Sequence, residues 1–136
     1  MPSPPVPYFK GRIMKNILVV DDAPDMRRLL MKRLESAGYK VEQAVNIPEA
    51  KERLSQIIPD CILLDIMLPG AYGTSWCDEL KGDDRYKQIP IIIISAKDRA
   101  IDREISAMVK ADAFIAKPFN MAEVIKKIEE VLSRIK

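Results

Sequence analysis

Residues 61–65 read Cys61-Ile62-Leu63-Leu64-Asp65, four apolar residues in succession closed by an acid. A strand with one wetted face alternates apolar and polar residues. A strand apolar at successive positions is buried on both faces, the situation in a parallel sheet covered by helices. The same character recurs upstream in Ile17-Leu18-Val19-Val20 and downstream in Ile91-Ile92-Ile93-Ile94. With two weaker runs, these predict strands β1 (16–20), β2 (39–44), β3 (61–64), β4 (90–95) and β5 (113–116).

The stretches between them have helical period. Helix α1 (about 24–37) is opened by Pro24 and stopped by Gly38, with Met26, Leu29, Leu30 and Leu34 on one face. Helix α2 (about 46–58) starts at the capping-box-like pair Asn46 and Glu49, presents Ala50, Leu54, Ile57 and Ile58, and ends at Pro59. Helix α3 (about 73–80) begins near Gly73. Helix α4 (about 101–108) places Ile101, Ile105 and Met108 at helical spacing. Helix α5 (about 120–135) opens with Asn120 and Glu123 and carries an apolar stripe that includes Val124, Ile128 and Val131. Five βα units with right-handed crossovers predict an α/β, flavodoxin-like doubly wound (βα)5 fold, its parallel sheet in strand order 2-1-3-4-5.

Its 136 residues suit one domain, taken as residues 15–136. Residues 1–14 hold Pro2, Pro4, Pro5 and Pro7 without periodicity, so they are expected to be extended or disordered outside the core, or foreign to the natural chain, with Met14 as an alternative start. No apolar run approaches the roughly 20 residues of a membrane span, and the N-terminus lacks the apolar core of a signal peptide, so a cytoplasmic location without membrane contact is expected. Cys61 and Cys77 have no metal-binding spacing, and the chain has no histidine. Lys10 and Arg12 account for two of 22 basic residues; without them 20 face 20 acidic ones. That near-neutral balance argues against nucleic-acid binding by this domain.

In such a sheet, ligands bind outside the carboxyl ends of the strands, at the switch point between β1 and β3. Asp21 and Asp22 follow β1, Asp65 follows β3, Ser95 closes β4 and Lys117 follows β5. Clustered carboxylates repel one another unless a cation or raised pKa values relieve them, and Mg2+ (or Mn2+) prefers such oxygen donors. A carboxylate can also attack phosphorus to give an aspartyl phosphate, with lysine and hydroxyl donors on the transferring group. No P-loop or kinase glycine loop is present, so the phosphodonor must come from outside.

Four segments together resemble the response-regulator receiver family of two-component systems, similar to its chemotaxis regulators: Leu18-Val19-Val20-Asp21-Asp22, Leu63-Leu64-Asp65-Ile66-Met67-Leu68-Pro69, Ser95-Ala96 and Lys117-Pro118-Phe119. Their spacing, 44, 30 and 22 positions between Asp21, Asp65, Ser95 and Lys117, supports the resemblance. It implies Asp65 as phosphoacceptor and Asp21, Asp22, Asp65 and the backbone carbonyl of Met67 as Mg2+ ligands. It also implies Ser95, Ala96 and Lys117 around the phosphoryl group, Ser95 and Phe114 as the switch pair, and a cis peptide at Pro118. The implied partners are a histidine kinase or histidine phosphotransfer protein upstream and an unidentified protein downstream, reached through an α4-β5-α5 face. The chain would then be no enzyme beyond catalysing its own phosphorylation and dephosphorylation.

Tyr72, Lys97 and Lys110 depart from the common pattern: Tyr72 precedes Gly73 where a small polar or acidic residue is usual, Lys97 lies two residues beyond Ser95, and Lys110 replaces a helix-ending glycine. An alternative within the family is a receiver module of a longer output-domain regulator or hybrid kinase. An aspartate-dependent phosphatase is disfavoured because Met67 stands where it needs a second acid. A nucleotide-binding flavodoxin-like module is disfavoured because Asp-Asp-Ala-Pro, not a phosphate-cradling loop, follows β1.

Overall fold

A computed structural model describes residues 8–9, 12–65, 67–68, 71–96 and 110–134, with side chains over 14–65, 75–94 and 110–134. The predicted α4 and Lys97 lie outside these residues. The five strands, β1 Asn16–Val20, β2 Lys40–Ala44, β3 Cys61–Asp65, β4 Ile91–Ala96 and β5 Ala113–Lys117, form one parallel sheet. Its order is β2-β1-β3-β4-β5, the doubly wound arrangement predicted from the sequence. Strands β3 and β5 each run one residue further than the apolar runs indicated. Asp65 pairs with Ile94 and Lys117 with Ala96, so two of the charged residues sit on the sheet itself.

Alternation of the strand side chains divides the core in two. Leu18, Val20, Ile62, Leu64, Ile91 and Ile93 pack on one face with Ala50 and Leu54 of α2 (Ile47–Gln56) and Trp76, Cys77 and Leu80 of α3 (Gly73–Lys81). Ile17, Val19, Cys61, Leu63, Ile92 and Ile94 pack on the other with Leu30 and Leu34 of α1 (Pro24–Ser36) and Val124, Ile128 and Val131 of α5 (Met121–Ser133). Burying Leu- or Ile-sized side chains stabilises by about 1.5–3 kcal/mol each, so these two layers hold the strand ends in fixed register.

Helix ends follow local chemistry. Gly38 takes φ 102, and the Tyr39 N–H donates to Leu34 O at 3.0 Å while the Gly38 N–H donates to Glu35 O at 3.0 Å, the paired bonds of a Schellman stop. The Asn46 side-chain Oδ1 accepts from the Glu49 N–H at 2.8 Å, and the Glu49 carboxylate accepts from the Val45 N–H at 2.8 Å, one residue before the cap. Asn120 caps α5 in the same way through the Glu123 N–H.

Two sequence expectations fail, at the end of α2 and on the face of α1. Helix α2 ends at Gln56 with Ile57 already extended, because Pro59 disfavours helical geometry at the preceding Ile58; Ile57 and Ile58 are then 39% and 57% exposed. Leu29, expected on the core face of α1, is 42% exposed because that helix seats on Leu30 and Leu34. In the tail, Tyr8–Phe9 and Arg12–Ile13 pair as an antiparallel ribbon. Among the described residues, no helix is long and apolar enough to cross a membrane.

Candidate functional site

Strands β2 and β3 flank β1, and Val20 lies opposite Leu64, so the next residues along β1 and β3, Asp21 and Asp65, emerge side by side at the carboxyl edge. Asp21 is 1% exposed and Asp65 7%, while Asp22 faces solvent. One carboxylate oxygen from each of Asp21, Asp22 and Asp65 falls within 4.8 Å of the others. Lys117, two strands away on β5, extends Nζ to 3.4 Å from Asp65 Oδ2 and 3.9 Å from Asp21 Oδ2.

The backbone around Asp21 is held from several sides. Its N–H donates to Ala44 O of β2 at 3.1 Å. Its carbonyl accepts from an Arg27 guanidinium nitrogen at 2.8 Å. Its Oδ1 accepts from the Ala23 N–H at 2.9 Å. Its Oδ2, by contrast, is buried without a hydrogen-bond partner among the described residues.

A buried carboxylate oxygen without a donor is costly, and buried polar atoms are almost always satisfied. Among the described residues, three carboxylates share one lysine, Lys117. The donors are all hard oxygens, and a divalent cation of the Mg2+ class matches both their charge and their chemistry. The residues present therefore fit such an ion.

The remaining predicted residues are placed less completely. Ser95 and Ala96 end β4, opposite Ala116 and Lys117 of β5, with side chains outside the described set. Met67 and Tyr72 pair in a short antiparallel ribbon just beyond β3. The Lys117–Pro118 peptide is cis, and Phe119 beyond it packs against the α1 and α5 layer. Phe114, opposite Ile93 on the edge strand, is 38% exposed and does not belong to the core. Lys110 is exposed ahead of β5. Arg27 and Gln43, which grip the Asp21 turn, were not singled out from the sequence; neither has a spacing or composition that marks it.

Residues 17–129 match the response regulator receiver domain family. The chain belongs to that family. Receiver domains have been solved with closely similar folds: that of a signal transduction histidine kinase from Syntrophus aciditrophicus is 33% identical with a TM-score of 0.85, covering 90% of this chain and 92% of that one. The receiver domain of a sensor histidine kinase from Pseudomonas aeruginosa, solved with a magnesium ion coordinated in its active site cleft, is 28% identical with a TM-score of 0.81, covering 88% of this chain and 98% of that one. Among curated proteins, the transcriptional regulatory protein BaeR of Escherichia coli O6:H1 is 36% identical over 120 residues, which are 88% of this chain and 49% of that protein. The receiver chain spans about half the length of the curated relatives it matches.

Proposed function

We propose that this receiver takes a phosphoryl group onto Asp65 from a histidine kinase or histidine phosphotransfer protein, with Mg2+ or Mn2+ held by Asp21, Asp22 and Asp65 and the Met67 carbonyl. The observation that carries it is the Asp65 carboxylate at the end of a buried strand, within 4.8 Å of two further carboxylates and 3.4 Å from Lys117 Nζ. Bound there, the cation supplies positive charge to the phosphoryl oxygens.

The chain's own residues then divide the work. Asp65 is the nucleophile: one carboxylate oxygen forms the bond to phosphorus as the donor's P–N bond breaks, and the freed imidazole takes up a proton. Lys117, within reach of Asp65, places its ammonium on a phosphoryl oxygen and offsets the charge added to the strand end. The burial of Asp21 and Asp65 limits water around the new acyl phosphate. Ser95 and Ala96 lie at the adjacent strand end to bind a further phosphoryl oxygen.

Inward movement of Ser95 would open space beside β5 for the part-exposed Phe114 to fill, reshaping the side of β5 and α5, with the α4 expected from the sequence, for an unidentified downstream protein. No substrate other than the domain itself is turned over, and the setting is cytoplasmic. A receiver acting within a longer regulator is the second reading, supported by the half-length coverage of relatives such as BaeR, a transcriptional regulatory protein.

The test is incubation with Mg2+ and acetyl phosphate, read by intact mass. A single phosphoryl adduct on the wild type and none on Asp65→Asn is the expected result. A persistent adduct on the variant overturns the assignment.

A further inference from the structure

Arg27 sits on the first turns of α1, yet its guanidinium turns back to the strand edge. One nitrogen donates to the main-chain carbonyl of Asp21 at 2.8 Å, and Nε donates to Gln43 Oε1 on β2 at 3.2 Å. Gln43 is itself fixed twice more: its carbonyl accepts from Arg53 Nε of α2 at 3.2 Å, and its side-chain amide donates to Met31 Sδ of α1 at 3.5 Å. The Asp21 N–H is already committed to Ala44 O of the same strand. Both main-chain polar groups of Asp21 are thus tied to β2, one directly and one through Arg27.

We propose that Arg27 is a positioning residue for the metal-binding carboxylates: it locks the peptide between Asp21 and Asp22 so that both side chains reach the same point as Asp65. The inference rests on the reading of that site given above. Asp22 is exposed and follows the gripped carbonyl directly, so rotation of that peptide would carry its carboxylate away from the trio. Guanidinium suits the task because its planar fork reaches two acceptors in fixed geometry, which an ammonium on a flexible stem does not.

The sign of the effect separates positioning from simple charge. Arg27 is a cation beside a cation site, so if charge alone mattered its removal would tighten metal binding. If it positions the ligands, removal weakens binding by about tenfold, the lower range for partners that orient metal ligands.

The experiment measures Mn2+ dissociation constants by electron paramagnetic resonance of the free ion for the wild type, Arg27→Met, Arg27→Lys, Gln43→Ala and Asp21→Asn. Phosphorylation by acetyl phosphate at saturating Mn2+ is followed in parallel. Weaker binding in Arg27→Met, no rescue by Arg27→Lys, a smaller loss in Gln43→Ala and near-normal phosphorylation at saturating metal are expected. Gln43→Ala leaves every ligand and Arg27 in place, so it carries the test if Arg27→Met fails to fold. Unchanged or tighter binding in the Arg27 and Gln43 variants overturns the inference alone. Wild-type affinity in Asp21→Asn overturns the reading of the site, and this inference with it.

Discussion

Each end of the sheet carries a lysine joined to an aspartate distant in sequence, and the two pairs are built in opposite ways. At the amino edge, Lys81 Nζ donates to Asp112 Oδ2 at 2.8 Å, to Ile89 O at 2.8 Å and to Lys87 O at 3.4 Å. Asp112 Oδ2 also accepts from the Ile91 N–H at 2.7 Å, and the Asp112 N–H and carbonyl are taken by Ile91 and Arg134. At the carboxyl edge, Lys117 is shared by two buried carboxylates at 3.4 and 3.9 Å, and Asp21 Oδ2 has no hydrogen-bond donor among the described residues. The same two residue types make a multiply bonded clasp in one place and, in the other, a shared lysine beside the unfilled acceptor of Asp21 among the described residues. Buried polar groups are almost always satisfied, so the open acceptor at Asp21 sets the carboxyl edge apart from the clasp.

The comparison breaks first if the carboxyl edge proves structural. Asp65→Asn is expected to abolish acetyl phosphate labelling completely while leaving the thermal midpoint equal to or above that of wild type, since it removes one of three crowded carboxylates. A marked loss of stability without added metal would place Asp65 with the clasp residues. Lys117→Ala is expected to slow labelling by about a hundredfold, the scale for removing one donor to developing charge. Stopped-flow labelling at saturating metal measures it, and a rate near wild type would remove Lys117 from the chemistry.

At the other edge the pattern reverses. Asp112→Ala strands the Ile91 N–H, leaves the Lys81 ammonium with carbonyl acceptors only, and is expected to cost about 2 kcal/mol in urea unfolding, the scale for leaving a buried partner unsatisfied. Labelling of Asp65 should proceed as in wild type. A stable but unlabelled variant would dissolve the distinction between the edges.

The two edges also differ in how visible they are in sequence. Asp21, Asp22 and Asp65 each stand at the end of a run whose burial is written in consecutive apolar residues, and Lys117 at the end of a weaker one, so the strand-end rule collects them before any distance is known. Gly38, Asn46 and Asn120 are equally legible because caps act within a few residues. Lys81 and Asp112 are 31 residues apart, each one charge among many, and only the fold joins them. Arg27 escapes notice for a related reason: its acceptors are a main-chain carbonyl and a glutamine on another strand, neither of which leaves a pattern. The burial difference between adjacent Asp21 and Asp22 is likewise tertiary. The end of α2 is hidden in the sequence because Ile57 and Ile58 continue its apolar period, while the Pro59 ring acts on the backbone.

The two cysteines offer the mildest test, since both feel the amino-edge clasp. Burial raises the Cys61 thiol, with Asp112 and Asp60 adding to the rise and Lys81 opposing it. Burial likewise pushes Cys77 up to about 11, here with Lys81 the main opposing influence. A thiol whose folded pKa lies above its unfolded one binds its proton more tightly in the native state. Its contribution to stability is therefore complete below the ordinary thiol range and declines as pH rises from there toward about 11. Urea midpoints of wild type should fall more steeply across that window than those of Cys77→Ala, and both thiols should resist a thiol reagent near neutral pH until the chain unfolds. In Asp112→Ala the opposing lysine charge is left without its partner, so both thiols should react at lower pH than in wild type. Asp65→Asn, acting at the far edge, should leave the thiol profile unchanged, and a shift there would mean that the two ends of the sheet are coupled.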